Sequence, residues 1–162
     1  TPNVIDFFDW TRKNLLKEWI EMFSPEFEIW ENIHYKNWEK KLDEILVWGY
    51  DVIVCHSMWC RVIIEYLSER KLNIKKIILV SPAINVKTKE VTDFYLDMKH
   101  DFKEVKNLVW KIIILVSNDD SVIRIEWAKD LANELNAKIV ETTWYWHFNL
   151  SEVKLIEDLI KS

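Results

Sequence analysis

The chain has 162 residues, 49% of them hydrophobic and 30% charged, with a formal net charge of −5. Such a length and mix imply one soluble domain, residues 1–162, and acids interspersed with bases leave no basic patch for nucleic acid. No apolar run approaches the roughly 18 residues of a membrane span, and the N-terminal TPNVIDFF lacks the basic-then-apolar layout of a secretory leader, so a cytoplasmic protein is expected.

Residues 3–8 read as a short first strand. Thr11 is the expected N-cap of a helix through Leu15, Leu16, Trp19, Ile20 and Phe23, which Ser24-Pro25 stops. Residues 27–30 alternate apolar and acidic as an edge-type strand would. The segment 37–46 (NWEKKLDEIL) puts Trp38, Leu42, Ile45 and Leu46 on one helical face. A β-branched run, 51–55, leads through a short turn into a helix that carries Arg61 to Leu67. Residues 75–80 (KKIILV) form a buried-type strand that ends at Ser81-Pro82, and a helix is expected around 93–100. The strongest strand, 111–117 (KIIILVS), empties into Asn118-Asp119-Asp120-Ser121. A helix over 125–135, a short strand over 138–141 and a closing helix capped by Ser151 complete the chain. Strands that are near-continuous apolar runs, alternating with helices, imply a mostly parallel sheet of about six strands covered on both faces. The fold expected is therefore an α/β three-layer sandwich, doubly wound, with right-handed crossovers.

The turn Cys55-His56-Ser57-Met58-Trp59 thrusts a serine out at the carboxyl end of a strand and onto a helix N-terminus. That is the geometry of a nucleophile elbow, and the helix N-terminus favours negative charge beside it. The plainer reading is a serine that caps an ordinary crossover helix. Ser57, Asp120 and His147 all follow strands, so all three face the rim where open α/β sheets bind ligands, at the point where strand order reverses. A base that removes the hydroxyl proton and a carboxylate that orients that base complete the set needed for acyl transfer. His56 lies beside the serine but points away from its hydroxyl, and His34 and His100 have no carboxylate placed after a strand. Asp119-Asp120 as a helix cap and His147 as a structural loop histidine are the competing readings. Cys55, His56 and Cys60 match no standard metal spacing, and the two cysteines are expected as free thiols in a reducing compartment.

VCHSMWCRVIIEYL, IILVSP, VSNDDSVIRIEWAKDLANEL and a His-Phe before the closing helix together resemble the small lidless serine hydrolases of the α/β-hydrolase superfamily. These include the retinoblastoma-binding serine hydrolase and bacterial predicted esterase type. The resemblance runs from about Trp38 to the C-terminus. It implies Ser57 as nucleophile, His147 as base and Asp120 as orienting acid, because the family's aspartate stands four positions before a proline, here Arg124; Asp119 is the fallback. It implies an oxyanion hole from the backbone N–H of Met58 and a second from the loop after the first strand, near Asp9 or Trp10. The expected partner is a small-molecule ester or thioester, with no cofactor, metal, nucleic acid or membrane and no protein partner named.

Glycine usage is abnormal for such a family. Ordinary composition predicts roughly eleven glycines at this length; the chain has Gly49 alone, and ten tryptophans. Trp59 stands where the elbow wants a small residue, Trp146 where the family has glycine before the histidine, and Trp144 at another turn position. The tryptophans are native in a remodelled site, engineered, or glycines specified by a reassigned stop codon that translation under another code renders as tryptophan. Refitting Trp59→Gly and Trp146→Gly is expected to raise esterase activity. Two other functions compete with the hydrolase. One is a catalytically impaired binding protein on the same fold, its pocket filled by Trp59, Trp144 and Trp146. The other is a nucleotide or flavin binder, disfavoured because no Gly-rich phosphate loop follows the first strand.

Overall fold

The computed structural model describes residues 7–27, 35–47, 49–84 and 104–162. Helices α1 (Phe7–Lys17) and α2 (Tyr35–Leu46) precede strand β1 (Val52–His56). Then follow α3 (Met58–Arg70), β2 (Ile74–Val80), the single turn α4 (Val105–Leu108), β3 (Val109–Ser117), α5 (Ile125–Leu135), β4 (Lys138–Thr142) and α6 (Lys154–Lys161). The described strands form one four-stranded, all-parallel sheet in the order β1-β2-β3-β4.

Strand alternation sorts the core into two faces. On one face Ile53, Cys55, Ile77, Leu79, Ile112, Ile114 and Val116 meet Trp38 and Leu42 of α2, Ile63 and Leu67 of α3, and Leu131 and Leu135 of α5. On the other, Ile78, Val80, Ile113 and Leu115 meet Phe7 of α1, Phe148, and Val153, Ile156 and Leu159 at α6. The expected α/β three-layer sandwich is thus present. Its described strands, however, run in sequence order without reversal. Successive right-handed crossovers in one direction put their helices on one face, so the opposite face is covered by the two ends of the described chain, α1 and α6.

Local expectations fail at the ends of elements. Phe7 and Phe8, expected in a strand, open α1; the rest of that strand, the strand at 28–30 and the helix around 93–100 lie outside the described residues, as do His34 and His100. Phe27 is not in a strand. Thr11 does not cap: α1 is already helical four residues earlier, and its hydroxyl is buried without a hydrogen-bond partner among the described residues. Ser151 does not cap α6 either, because the helix begins after the buried Val153.

Candidate active site

Ser57 sits between β1 and α3 at φ 53°, ψ −123°. A side chain at positive φ costs about 1–3 kcal/mol and persists only where its surroundings over-determine it. Here its N–H donates to the Val80 carbonyl (2.9 Å), and its own carbonyl accepts from Cys60 N–H and Ala83 N–H (both 3.1 Å). Ser57 offers no side-chain cap to α3. The plainer reading, a capping serine, therefore does not describe it.

Its hydroxyl is instead engaged by His147. The Nε2 atom of His147 lies 3.0 Å from Ser57 Oγ, and Nδ1 lies 2.9 Å from Asp120 Oδ2. The three side chains, contributed after β1, β3 and β4, converge at the carboxyl edge of the sheet. With Nδ1–H donating to the carboxylate, Nε2 presents its lone pair to the hydroxyl, the tautomer that this network assigns. The Asp120 side chain is fully buried and that of His147 only 13% exposed. Burial alone would push the Asp120 carboxyl up; hydrogen bonds from His147, Ile123 N–H, Ser81 and Val122 N–H outweigh it and hold the group below its ordinary value. Asp120 does not cap α5, whose N-cap is Arg124 with no side-chain cap: Oδ1 accepts Val122 N–H (2.8 Å) and Ile123 N–H (2.9 Å) in the turn before that helix, while Oδ2 faces the imidazole.

The fallback Asp119 does different work. It bonds the Ser117 hydroxyl and accepts Trp144 N–H (3.2 Å) and Trp146 N–H (3.3 Å), bracing the loop that carries His147. The Ser117 hydroxyl above all, with those backbone donors, holds its carboxyl below the usual range. His56 does point away from Ser57 Oγ. Its Nε2–H donates to the carbonyl of His147 (2.7 Å), and its ring meets Phe7 edge-on. Burial first, and the neighbouring His147 second, push His56 down to about 4, so it stays neutral.

The segment expected to supply a second oxyanion donor differs in structure from that expectation. Asp9 and Trp10 lie within α1, not in a loop after a strand. The helix begins earlier than the apolar pattern suggested, because Phe7 is fully buried and faces the core from a helical turn. Met58 is the first residue of α3, where N–H groups have no acceptor within the helix itself. Cys55 and Cys60 are both free and buried, and no group of three or more His, Cys, Asp or Glu among the described residues could hold a metal ion.

The three tryptophans at expected glycine positions fill no pocket in common. Trp59 turns to the α2 side, stacked on Trp38 (4.0 Å between ring centroids, 15° between planes) and tilted against Phe27 (4.2 Å). Trp144 and Trp146 stand 80% and 59% exposed. Sequence reasoning missed Ser81, fully buried after β2, whose Oγ donates to Asp120 Oδ2 (2.7 Å). A Ser-Pro at the carboxyl end of a central strand, on the same rim as the other three, was the available signal.

The model of a family described as serine hydrolase matches residues 9–153. The chain belongs to the serine hydrolase family. Hydrolysis is therefore the reaction class of this serine hydrolase. YdeN of Bacillus subtilis (strain 168), whose description names a hydrolase, is 22% identical over 176 residues, covering 96% of this chain and 87% of YdeN. Its crystal structure superposes with a TM-score of 0.85 at 21% identity, over 96% of this chain and 89% of that one. An α/β serine hydrolase homologue from Coxiella burnetii matches with a TM-score of 0.60 at 14% identity, over 96% and 74% of the two chains. Est1E from Butyrivibrio proteoclasticus does so at 0.62 and 11%, over 82% and 70%. At these identities the structural likenesses establish that this serine hydrolase shares the α/β-hydrolase fold.

Proposed function

We propose that this serine hydrolase cleaves small carboxylic esters or thioesters through an acyl-enzyme on Ser57, with His147 as the base and Asp120 as the acid that orients it. The observation that carries the reading is the single imidazole bridging Ser57 Oγ (3.0 Å) and Asp120 Oδ2 (2.9 Å). His147 Nε2 takes the hydroxyl proton as Oγ attacks the carbonyl carbon, and Asp120 steadies the imidazolium that forms. The tetrahedral oxyanion lies at the N-terminus of α3, with Met58 N–H as one donor. The second comes from the N-terminal part of α1, the segment that includes Trp10 and begins beside His56. Each such donor stabilises the transition state by about 3–4 kcal/mol. His147 then protonates the departing alcohol or thiol, and water enters by the same base to release the acyl group. This chemistry uses no cofactor.

Small neutral or cationic esters suit a chain with net charge −5 better than nucleic acid does. No helix among the described residues is long and apolar enough to cross a membrane. Two free buried cysteines fit a reducing compartment such as the cytoplasm.

A fluorophosphonate probe and p-nitrophenyl acetate test the reading together. Labelling and turnover in the parent, both lost in Ser57→Ala, are expected. Labelling that survives Ser57→Ala, or a folded parent that takes no label, overturns it.

A further inference from the structure

We propose that Ser81 is a positioning residue for the acid–base pair, its hydroxyl fixing the carboxylate of Asp120 in the plane that meets His147. This rests on the reading of Ser57, His147 and Asp120 as the reacting set. The torsion about the last bond of an aspartate side chain is broad, so a carboxylate pinned at one oxygen still swings at the other. Asp120 is pinned at Oδ1 by Val122 N–H (2.8 Å) and Ile123 N–H (2.9 Å). Oδ2, the oxygen that receives His147 Nδ1–H, has one further partner among the described hydrogen bonds, the Ser81 hydroxyl at 2.7 Å. With both oxygens held, the imidazole is aimed at Ser57.

The setting of Ser81 points the same way. It is fully buried and stands at φ 42°, a conformation that glycine adopts without strain and that other residues adopt at a cost. Glycine there would lack the hydroxyl. The residue is locked from behind by its N–H to the Leu115 carbonyl (2.9 Å), at the end of the neighbouring strand. Two residues on, Ala83 N–H donates to the Ser57 carbonyl (3.1 Å). One short turn after β2 thus touches both the backbone of the nucleophile and the side chain of the acid.

The test compares Ser81→Ala and Ser81→Gly, which both remove the hydroxyl while the second also relieves the backbone, with Ser81→Cys, which keeps a weaker donor. Melting temperature establishes folding, p-nitrophenyl acetate gives kcat and KM, and proton NMR follows the downfield Nδ1–H resonance of His147. The hydroxyl-free variants are expected to lose about tenfold in kcat with KM little changed, and to show a broadened or lost resonance; Ser81→Cys recovers part of both. A folded Ser81→Ala or Ser81→Gly with parental kcat and an unaltered resonance overturns the proposal. If the parent neither turns over ester nor takes the fluorophosphonate label, the esterase reading falls by itself. The resonance then decides Ser81: unaltered overturns its positioning role, broadened or lost supports it.

Discussion

Two sets of tryptophans in this molecule stand in opposite physical situations. Trp38 is 4% exposed, and Trp59 stacks on it in the layer between α2 and α3, both on helical backbone. Trp19, Trp144 and Trp146 are 94%, 80% and 59% exposed, and all three hold positive φ (62°, 72° and 45°). Trp19 ends α1 in a left-handed cap, with Trp19 N–H bonding Leu16 O (3.1 Å) and Ile20 N–H bonding Leu15 O (3.0 Å), the position where helices most favour glycine. The first pair gains burial and stacking from its rings; the second set gains far less burial and carries backbone strain. Of the three explanations for the excess of tryptophan, recoded glycine fits the second set, whose backbone is glycine's, and draws no support from the backbone of Trp59. A tryptic peptide map of the protein from its native source, showing glycine at 19, 144 and 146, would establish it; tryptophan there would exclude it.

The contrast breaks most visibly at Trp38. Trp38→Ala empties a core position and is expected to cost about 3–5 kcal/mol in denaturant unfolding. A loss below about 1 kcal/mol would mean that the stack is surface decoration.

A second test asks what holds the loop under Trp144 and Trp146, if not their rings. The structure answers with Asp119 and with the His56 bond to the His147 carbonyl. An unfolded histidine titrates at about 6.5, whereas folded His56 lies at about 4. Burial lowers the His56 value while its bond to the His147 carbonyl raises it, and between those values the unfolded chain holds more protons, so the contribution of holding His56 buried and neutral is fully present above about pH 6.5. It is lost as pH falls towards 4, by up to about 3 kcal/mol. Unfolding free energies measured across that range should show the slope, and His56→Gln should flatten it.

Third in size is Trp59→Gly. It removes the stack and puts glycine in the first turn of α3, for a loss of roughly 2–3 kcal/mol. The activity gain expected when this site is refitted together with Trp146→Gly should then come from the second change alone; assay of the single variants separates them. The smallest effect has the opposite sign. Trp19→Gly, Trp144→Gly and Trp146→Gly should each raise stability by roughly 0.5–1 kcal/mol, the strain relieved being partly offset by unfolded-state entropy. Thermal melts that fall for all three would erase the distinction between the two sets.

Much of this was legible in the chain itself. Apolar runs at 75–80 and 111–117, and the helical spacing at 37–46 and 125–135, match observed elements to within two residues. Phe7-Phe8 was misread because an apolar pair has no periodicity to separate strand from helix. Ser57, Asp120 and His147 were legible because each follows a strand and parallel strands deliver their carboxyl ends to one rim. Ser81 shares that property and was overlooked, since a serine before proline also reads as a plain stop.

By itself, the sequence determined the parallel sheet, the two apolar faces and which polar residues would reach its rim, because side-chain period and strand direction are local properties of the chain. Only the tertiary structure decided that Asp120 rather than Asp119 meets the imidazole, that His56 holds the backbone of His147, and that Trp59 turns to Trp38 while Trp144 and Trp146 face water. Each of those depends on where a carboxylate, a ring or a carbonyl about 20 to 90 residues away comes to rest, a matter of packing that no local pattern encodes.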